Sequence, residues 1–87
     1  MGVQVDLSIM RMSEPESLTA KELELKTDPV TRTPQPIPVM AWVGYGKIGV
    51  RVTGRAVAWT SKAVAVEWEG PEGIHRAWVW TSAVQRN

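Results

Sequence analysis

From residue 39 onward, apolar positions recur at every second residue. Val39, Ala41 and Val43 show the pattern, as do Val64, Val66 and Trp68, and then Ala77 and Val79. A period of two sends successive side chains to opposite faces and predicts half-buried strands. Strands are expected over residues 39–43, 49–53, 55–59, 63–69 and 75–80. Turn formers separate them: Gly44-Tyr45-Gly46-Lys47, Thr53-Gly54, Thr60-Ser61-Lys62 and Gly70-Pro71-Glu72-Gly73. Short strands joined by tight turns predict a small all-β barrel or rolled sheet, because closure disposes of the edges an open sheet would expose. Thr81-Ser82-Ala83-Val84 suits a single helical turn after the last strand.

The first part of the chain is patterned differently. Val3, Val5, Leu7 and Ile9 alternate with Gln4, Asp6, Ser8 and Met10, which reads as one added strand. Ser13-Glu14-Pro15-Glu16 resembles a capping box that opens a helix through Leu18, Ala20 and Glu22. Leu23-Glu24-Leu25-Lys26 alternates in strand fashion, so residues 13–27 read as either helix or strand. Pro29, Pro34, Pro36 and Pro38 forbid a helix and remove ladder donors, predicting an extended, polyproline-like linker. The expected organisation is an arm and linker over residues 1–38 and a five-stranded barrel over residues 39–87.

Aromatic composition sharpens this picture. Trp42, Trp59, Trp68, Trp78 and Trp80 accompany a single Tyr and no Phe in a chain of 87 residues. A chain this short buries only about 60 to 65% of its unfolded surface, so some indoles are expected to face solvent. Arg76, Trp78 and Trp80 share one strand face, and Ala77 and Val79 share the other with His75. An arginine at a core position is costly, which turns Trp78 and Trp80 outward with Arg76. Trp68 falls in phase with Val64 and Val66 and is expected in the core. Trp59 shares its phase with both Val57 and Arg55, which leaves its direction open.

Charge and cysteine content narrow the function classes. Residues 1–36 carry four basic and six acidic side chains, whereas residues 37–87 carry six basic and three acidic. The second half is therefore the better match for an anionic partner, although its excess is mild. Without cysteine there is no disulfide, thiolate metal site or thiol nucleophile, and an intracellular, cytoplasmic setting is expected. No apolar run reaches the roughly 20 residues of a membrane span, and the first residues lack a signal-peptide pattern. Met1-Gly2 opens like a myristoylation signal, but Asp6 stands where Ser or Thr is required. Abundant Ala, Val, Arg and Gly fit a high-GC genome and a small bacterial or phage accessory protein.

Chemistry-bearing motifs are few. Gly44-Tyr45-Gly46-Lys47-Ile48-Gly49 matches the glycine-rich pattern of phosphate loops, yet the residues that follow read as strand, so a hairpin turn is expected instead of a nucleotide site. His75 with Glu67, Glu69 and Glu72 lacks metal-ligand spacing. Glu67 and Glu69 are expected as a solvated stripe on one strand face. No serine is tied to a histidine and an aspartate. Neither an enzyme nor a cofactor is expected.

Val50-Arg51-Val52, the stretch from Gly54 to Trp59, Val64-Ala65-Val66-Glu67-Trp68 and Trp78-Val79-Trp80-Thr81-Ser82-Ala83-Val84 together resemble an SH3-like barrel. Within that class the element order is similar to the type II dihydrofolate reductase subunit. That family's functional Val-Gln-Ile-Tyr segment is replaced here by Ala77-Trp78-Val79-Trp80, so the resemblance implies the fold without the reductase chemistry. The expected binding surface is Trp78, Trp80 and Arg76, with Arg51, Arg55 and Lys47 as supporting cations. Two partner classes fit it. A protein partner or self-association would use clustered exposed aromatics. DNA or RNA would stack bases on the rings and set the cations against phosphates. The proline-rich stretch Thr33-Pro34-Gln35-Pro36-Ile37-Pro38 could also dock on an aromatic groove, with linker duty as its simpler role.

Overall fold

A computed structural model describes residues 15–87, and the strand expected over residues 3–9 lies outside them. The described residues form β1 (Thr31–Tyr45), β2 (Ile48–Trp59), β3 (Ala63–Gly70), β4 (Gly73–Trp80) and β5 (Val84–Arg86). A four-residue helix, α1 (Ala20–Leu23), precedes them, and one 3-10 turn, Thr81–Ala83, separates β4 from β5. The protein is all-β in class, with a single antiparallel sheet in the order β4-β3-β2-β1-β5.

The expected alternation builds the core. Val39, Ala41, Val43 and Tyr45 of β1 face Val50 and Val52 of β2, Val64, Val66 and Trp68 of β3, and Ala77 and Val79 of β4. Trp68 is fully buried and stacks on His75 directly across the β3–β4 ladder, with ring centroids 5.8 Å apart. β1 touches β4 although β2 and β3 lie between them in the ladder order, so the sheet rolls around this core. The 3-10 turn carries the chain from the β4 edge to the opposite edge, where β5 pairs with residues 39–41 of β1.

Two expected strands prove to be one. Thr53 and Gly54 do not turn: β2 runs through them unbroken, and the fifth strand comes from Val84–Arg86 instead. Gly54 is needed for close approach, since a Cβ there would overlap the Glu67 carbonyl and sit 3.0 Å from Trp68 Cβ. A bulge follows, because Ala56 and Ala58 pair with the adjacent residues Val66 and Ala65 and leave Val57 unopposed. The extra residue reverses the alternation, so Trp59 packs half-buried against the core while Arg55 points away from it. That settles the ambiguous phase of Trp59.

The proline-rich stretch expected as a linker belongs to β1. Arg32 and Ile37 pair with Ala58 and Ala56, so four residues, 33–36, pucker out of the ladder opposite a single one. Pro34 and Pro36 sit in this pucker, where no ladder donor is required. Thr33 Oγ1 closes it by accepting from the Gln35 amide at 3.2 Å and donating to the Gln35 carbonyl at 3.0 Å.

The turns follow the expected chemistry. Gly46 and Lys47 make a two-residue hairpin in which Gly46 has φ +63°, and Pro71 and Glu72 lead into Gly73 at φ +115°. The helix begins later than expected. Residues 15–19 are not helical, and the capping box is Thr19 with Glu22: Thr19 Oγ1 accepts from the Glu22 amide at 3.2 Å and Glu22 Oε1 accepts from the Thr19 amide at 3.0 Å. The strand alternative for residues 23–26 is overturned as well, since Leu23 ends α1 and Glu24 adopts a left-handed φ of 53°.

Ahead of α1, residues 16–18 bridge the gap between the two outer edges of the roll. The Glu16 amide donates to the Gly44 carbonyl of β1 at 2.7 Å, and the Leu18 amide donates to the Trp78 carbonyl of β4 at 2.9 Å. The Trp78 amide in turn donates to Ser17 Oγ at 2.9 Å. Asp28 adds a clasp behind α1, accepting from the Ser61 amide at 3.0 Å and the Ser61 hydroxyl at 2.8 Å.

Replacing Gly54 by alanine is expected to destabilise the fold by about 2 to 4 kcal/mol, read as a fall in the urea midpoint. Gly49→Ala is the control, since a Cβ there meets only Trp42 Cε3 at 3.7 Å. It should stay within about 1 kcal/mol of the unaltered chain.

Candidate functional site

The inward phase of β1 and β4 fixes what points outward. On β1 it is Trp42, between buried Ala41 and Val43, and on β4 it is Arg76, Trp78 and Trp80, around buried Ala77 and Val79. Trp42 and Trp80 keep 49% and 42% of their surface exposed, while Trp78 is half-buried. Rolling the sheet brings the three indoles to one open depression of about 350 Å³. Leu18, Glu16 and Glu22 complete its walls.

The two carboxylates reach this position through the bridging segment. Glu16 is held by its own amide on Gly44, and its side chain lies over that glycine, where an added Cβ would come 3.0 Å from Oε2. Glu22 is fixed by the capping box, with Oε1 also accepting from the Thr19 hydroxyl at 3.1 Å. Buried Leu23 anchors α1 beside it. Neither carboxylate forms an ion pair among the described residues.

The arginines are arranged differently from the indoles. Arg55, Glu67 and Arg76 stand directly opposite one another across β2, β3 and β4. Arg55 donates to Glu67 Oε1 through Nε at 3.2 Å and a terminal nitrogen at 2.9 Å, and Arg76 donates to Oε2 at 2.6 Å. Glu67 is thus no part of a solvated stripe, for its side chain is only 15% exposed and each of its oxygens is taken by a guanidinium. Hydrogen bonds first from Arg76 and then from Arg55 hold its carboxyl below a glutamate's ordinary value of 4.5, against the opposing effect of desolvation. Asp28 is held low by the backbone and hydroxyl hydrogen bonds from Ser61.

Of the remaining expected cations, Arg51 is exposed directly opposite Trp42 in the β1–β2 ladder, and Lys47 is exposed at the hairpin tip. Neither lines the depression. Structure therefore gathers Trp78 and Trp80 with Trp42, turns Arg55 and Arg76 onto Glu67, and leaves Arg51 and Lys47 apart. Trp42 is the residue that sequence reasoning missed, although its position between Ala41 and Val43 carries the signal. No local pattern marks Glu16 or Glu22 as neighbours of these rings. Among the described residues, no three His, Asp or Glu side chains gather as a metal site, and no helix is long and apolar enough to cross a membrane.

The lowered pKa of Glu67 carries a defined pH dependence. A carboxyl depressed in the folded state stabilises the fold above its unfolded value, and that contribution is lost as pH falls from about 4.5 through the folded value. Glu67→Gln is therefore expected to flatten the acid limb of a stability-versus-pH curve measured by urea unfolding. The remaining slope belongs to groups such as Asp28, whose sign is the same.

Compared with known proteins, the chain matches no protein-family model, no curated protein and no solved structure.

Proposed function

We propose that this chain is a non-catalytic recognition module that binds a protein partner through the depression formed by Trp42, Trp78 and Trp80. One observation carries the reading: three of the five tryptophans border a single open depression, and two of them keep more than two-fifths of their surface in solvent. Exposed clustered aromatics are costly on a lone soluble domain and are the usual anchors of protein interfaces. The scaffold we assign is an SH3-like barrel. A meander of four strands, one 3-10 turn and a short strand returning beside β1 support that assignment.

Nucleic-acid binding is the second reading, favoured by Arg51, which stands exposed across from Trp42 without an ion-pair partner among the described residues. Two features weigh against it. Arg55 and Arg76 are drawn onto Glu67, and the walls of the depression carry Glu16 and Glu22, which repel phosphate.

The test compares the unaltered chain with a Trp42→Ala/Trp80→Ala variant, both rings being exposed enough to remove without opening the core. Proteins retained on the immobilised chain are identified, and their affinity for the variant is expected to fall by about 2 kcal/mol or more, roughly 30-fold. Equal retention by both chains would overturn the reading. Sedimentation of the free chain reports self-association, the other protein-facing outcome. Binding of a mixed-sequence single strand of about 20 nucleotides that weakens steeply with salt, with a shallower slope in Arg51→Ala, would establish the nucleic-acid reading in its place.

A further inference from the structure

We propose that the depression takes a cationic side chain, a guanidinium or an ammonium, presented by an extended basic segment of the partner protein. This rests on the recognition reading and names the chemistry of what is recognised. The faces of indole rings carry negative charge density and attract cations within about 6 Å of the ring centroid. Here three such rings share their space with two carboxylates, Glu16 and Glu22, and with no lysine or arginine among the described residues.

The distribution of ion pairs points the same way. Glu24 is paired with Lys62 at 3.0 Å and Glu67 with two arginines, whereas Glu16 and Glu22 have no cationic partner among the described residues. Arg76 lies on the same face of β4 two residues before Trp78, yet its ladder neighbour Glu67 holds it at 2.6 Å and it does not line the depression. The depression therefore presents negative potential and aromatic surface together, without a counter-ion among the described residues.

Other occupants fit less well. A phosphate or carboxylate would meet two like charges. A purely apolar side chain would press water away from Glu16 and Glu22 without replacing its hydrogen bonds, and burying an uncompensated carboxylate is expensive. A cation at the end of an alkyl stem satisfies both demands, laying its methylenes on the rings and its charge near the carboxylates. The space, about 350 Å³, is at the lower end of ligand sites and suits one long side chain with its flanking backbone.

The experiment follows the five indole N–H resonances of the full chain while blocked pentapeptides with one central residue are added. Arginine and lysine peptides are expected to shift the signals of Trp42, Trp78 and Trp80, and the neutral citrulline peptide, isosteric with arginine, should bind about tenfold more weakly or worse. In a Glu16→Gln/Glu22→Gln variant that difference should shrink to about twofold, with the capping box kept because glutamine serves at the same helix position. Citrulline binding as tight as arginine, or no shift at any of the three indoles with any peptide, would overturn the proposal on the unaltered chain alone. Failure here is separable from failure of the recognition reading. A retained partner that needs Trp42 and Trp80 but binds the glutamine variant unchanged sinks the cation and keeps the docking surface. Loss of both dependences sinks both.

Discussion

The roll is closed by three hydrogen bonds between residues 16–18 and the edges of β1 and β4. Without them the Gly44 carbonyl and both backbone groups of Trp78 would lose their partners within the chain, a net contribution of about 0.5 to 1.5 kcal/mol for each bond. Ser17 and Trp78 are 61 positions apart, so this closure joins distant parts of the chain and shapes the candidate site. It lays Glu16 over Gly44, sets Leu18 beside Trp78 and delivers α1 with Glu22 to the same place. The clasp of Asp28 on Ser61 and the pairing of Glu24 with Lys62 hold the following turn against the roll. The candidate site is thus a composite of arm and sheet, and belongs to neither alone.

β2 plays the complementary part inside the sheet. Its first half pairs with β1, and its second half serves β1 and β3 together. Gly54 lets the strands approach at the changeover, and the Val57 bulge then reverses which side chains face inward. One inserted residue accounts for two facts at once: Trp59 reaches the core, and Arg55 stands in line with Glu67 and Arg76 outside it. The ionic ladder so formed is partly shielded, which makes it more than a surface pair, and it removes two cations from the face where the indoles gather.

How much was legible beforehand follows from which interactions are local. Period-two alternation marked the core positions of β1, β3 and β4, and it marked Trp68 as buried and Trp78 with Trp80 as outward, because side-chain direction in a strand is a local property. The hairpin at Gly46 and the 3-10 turn after Trp80 were equally readable from turn chemistry. Gly54 misled, because a glycine that permits close approach looks the same in sequence as a glycine that turns. Prolines 34 and 36 misled for a related reason: a pucker lets a strand accommodate residues that cannot donate to a ladder. The capping box was sought at Ser13 when Thr19 and Glu22 form it, both positions satisfying the same short pattern. Arm-to-sheet contacts left no trace in spacing or composition, and so Glu16, Glu22 and the partnership of Trp42 with the other two rings could only come from the folded chain.

The pucker of β1 bears on how the margin of the sheet would meet another chain. Ahead of the three residues paired with β5, residues 31–37 of β1 pair only with β2 among the described residues, and a strand margin with regular amide hydrogens is a template on which a foreign strand can pair. Pro34 and Pro36 carry no amide hydrogen in this stretch, and the pucker spoils the straight spacing that an incoming strand would need. This part of the sheet margin is thereby made a poor template for an incoming strand by covalent structure, with no charge required.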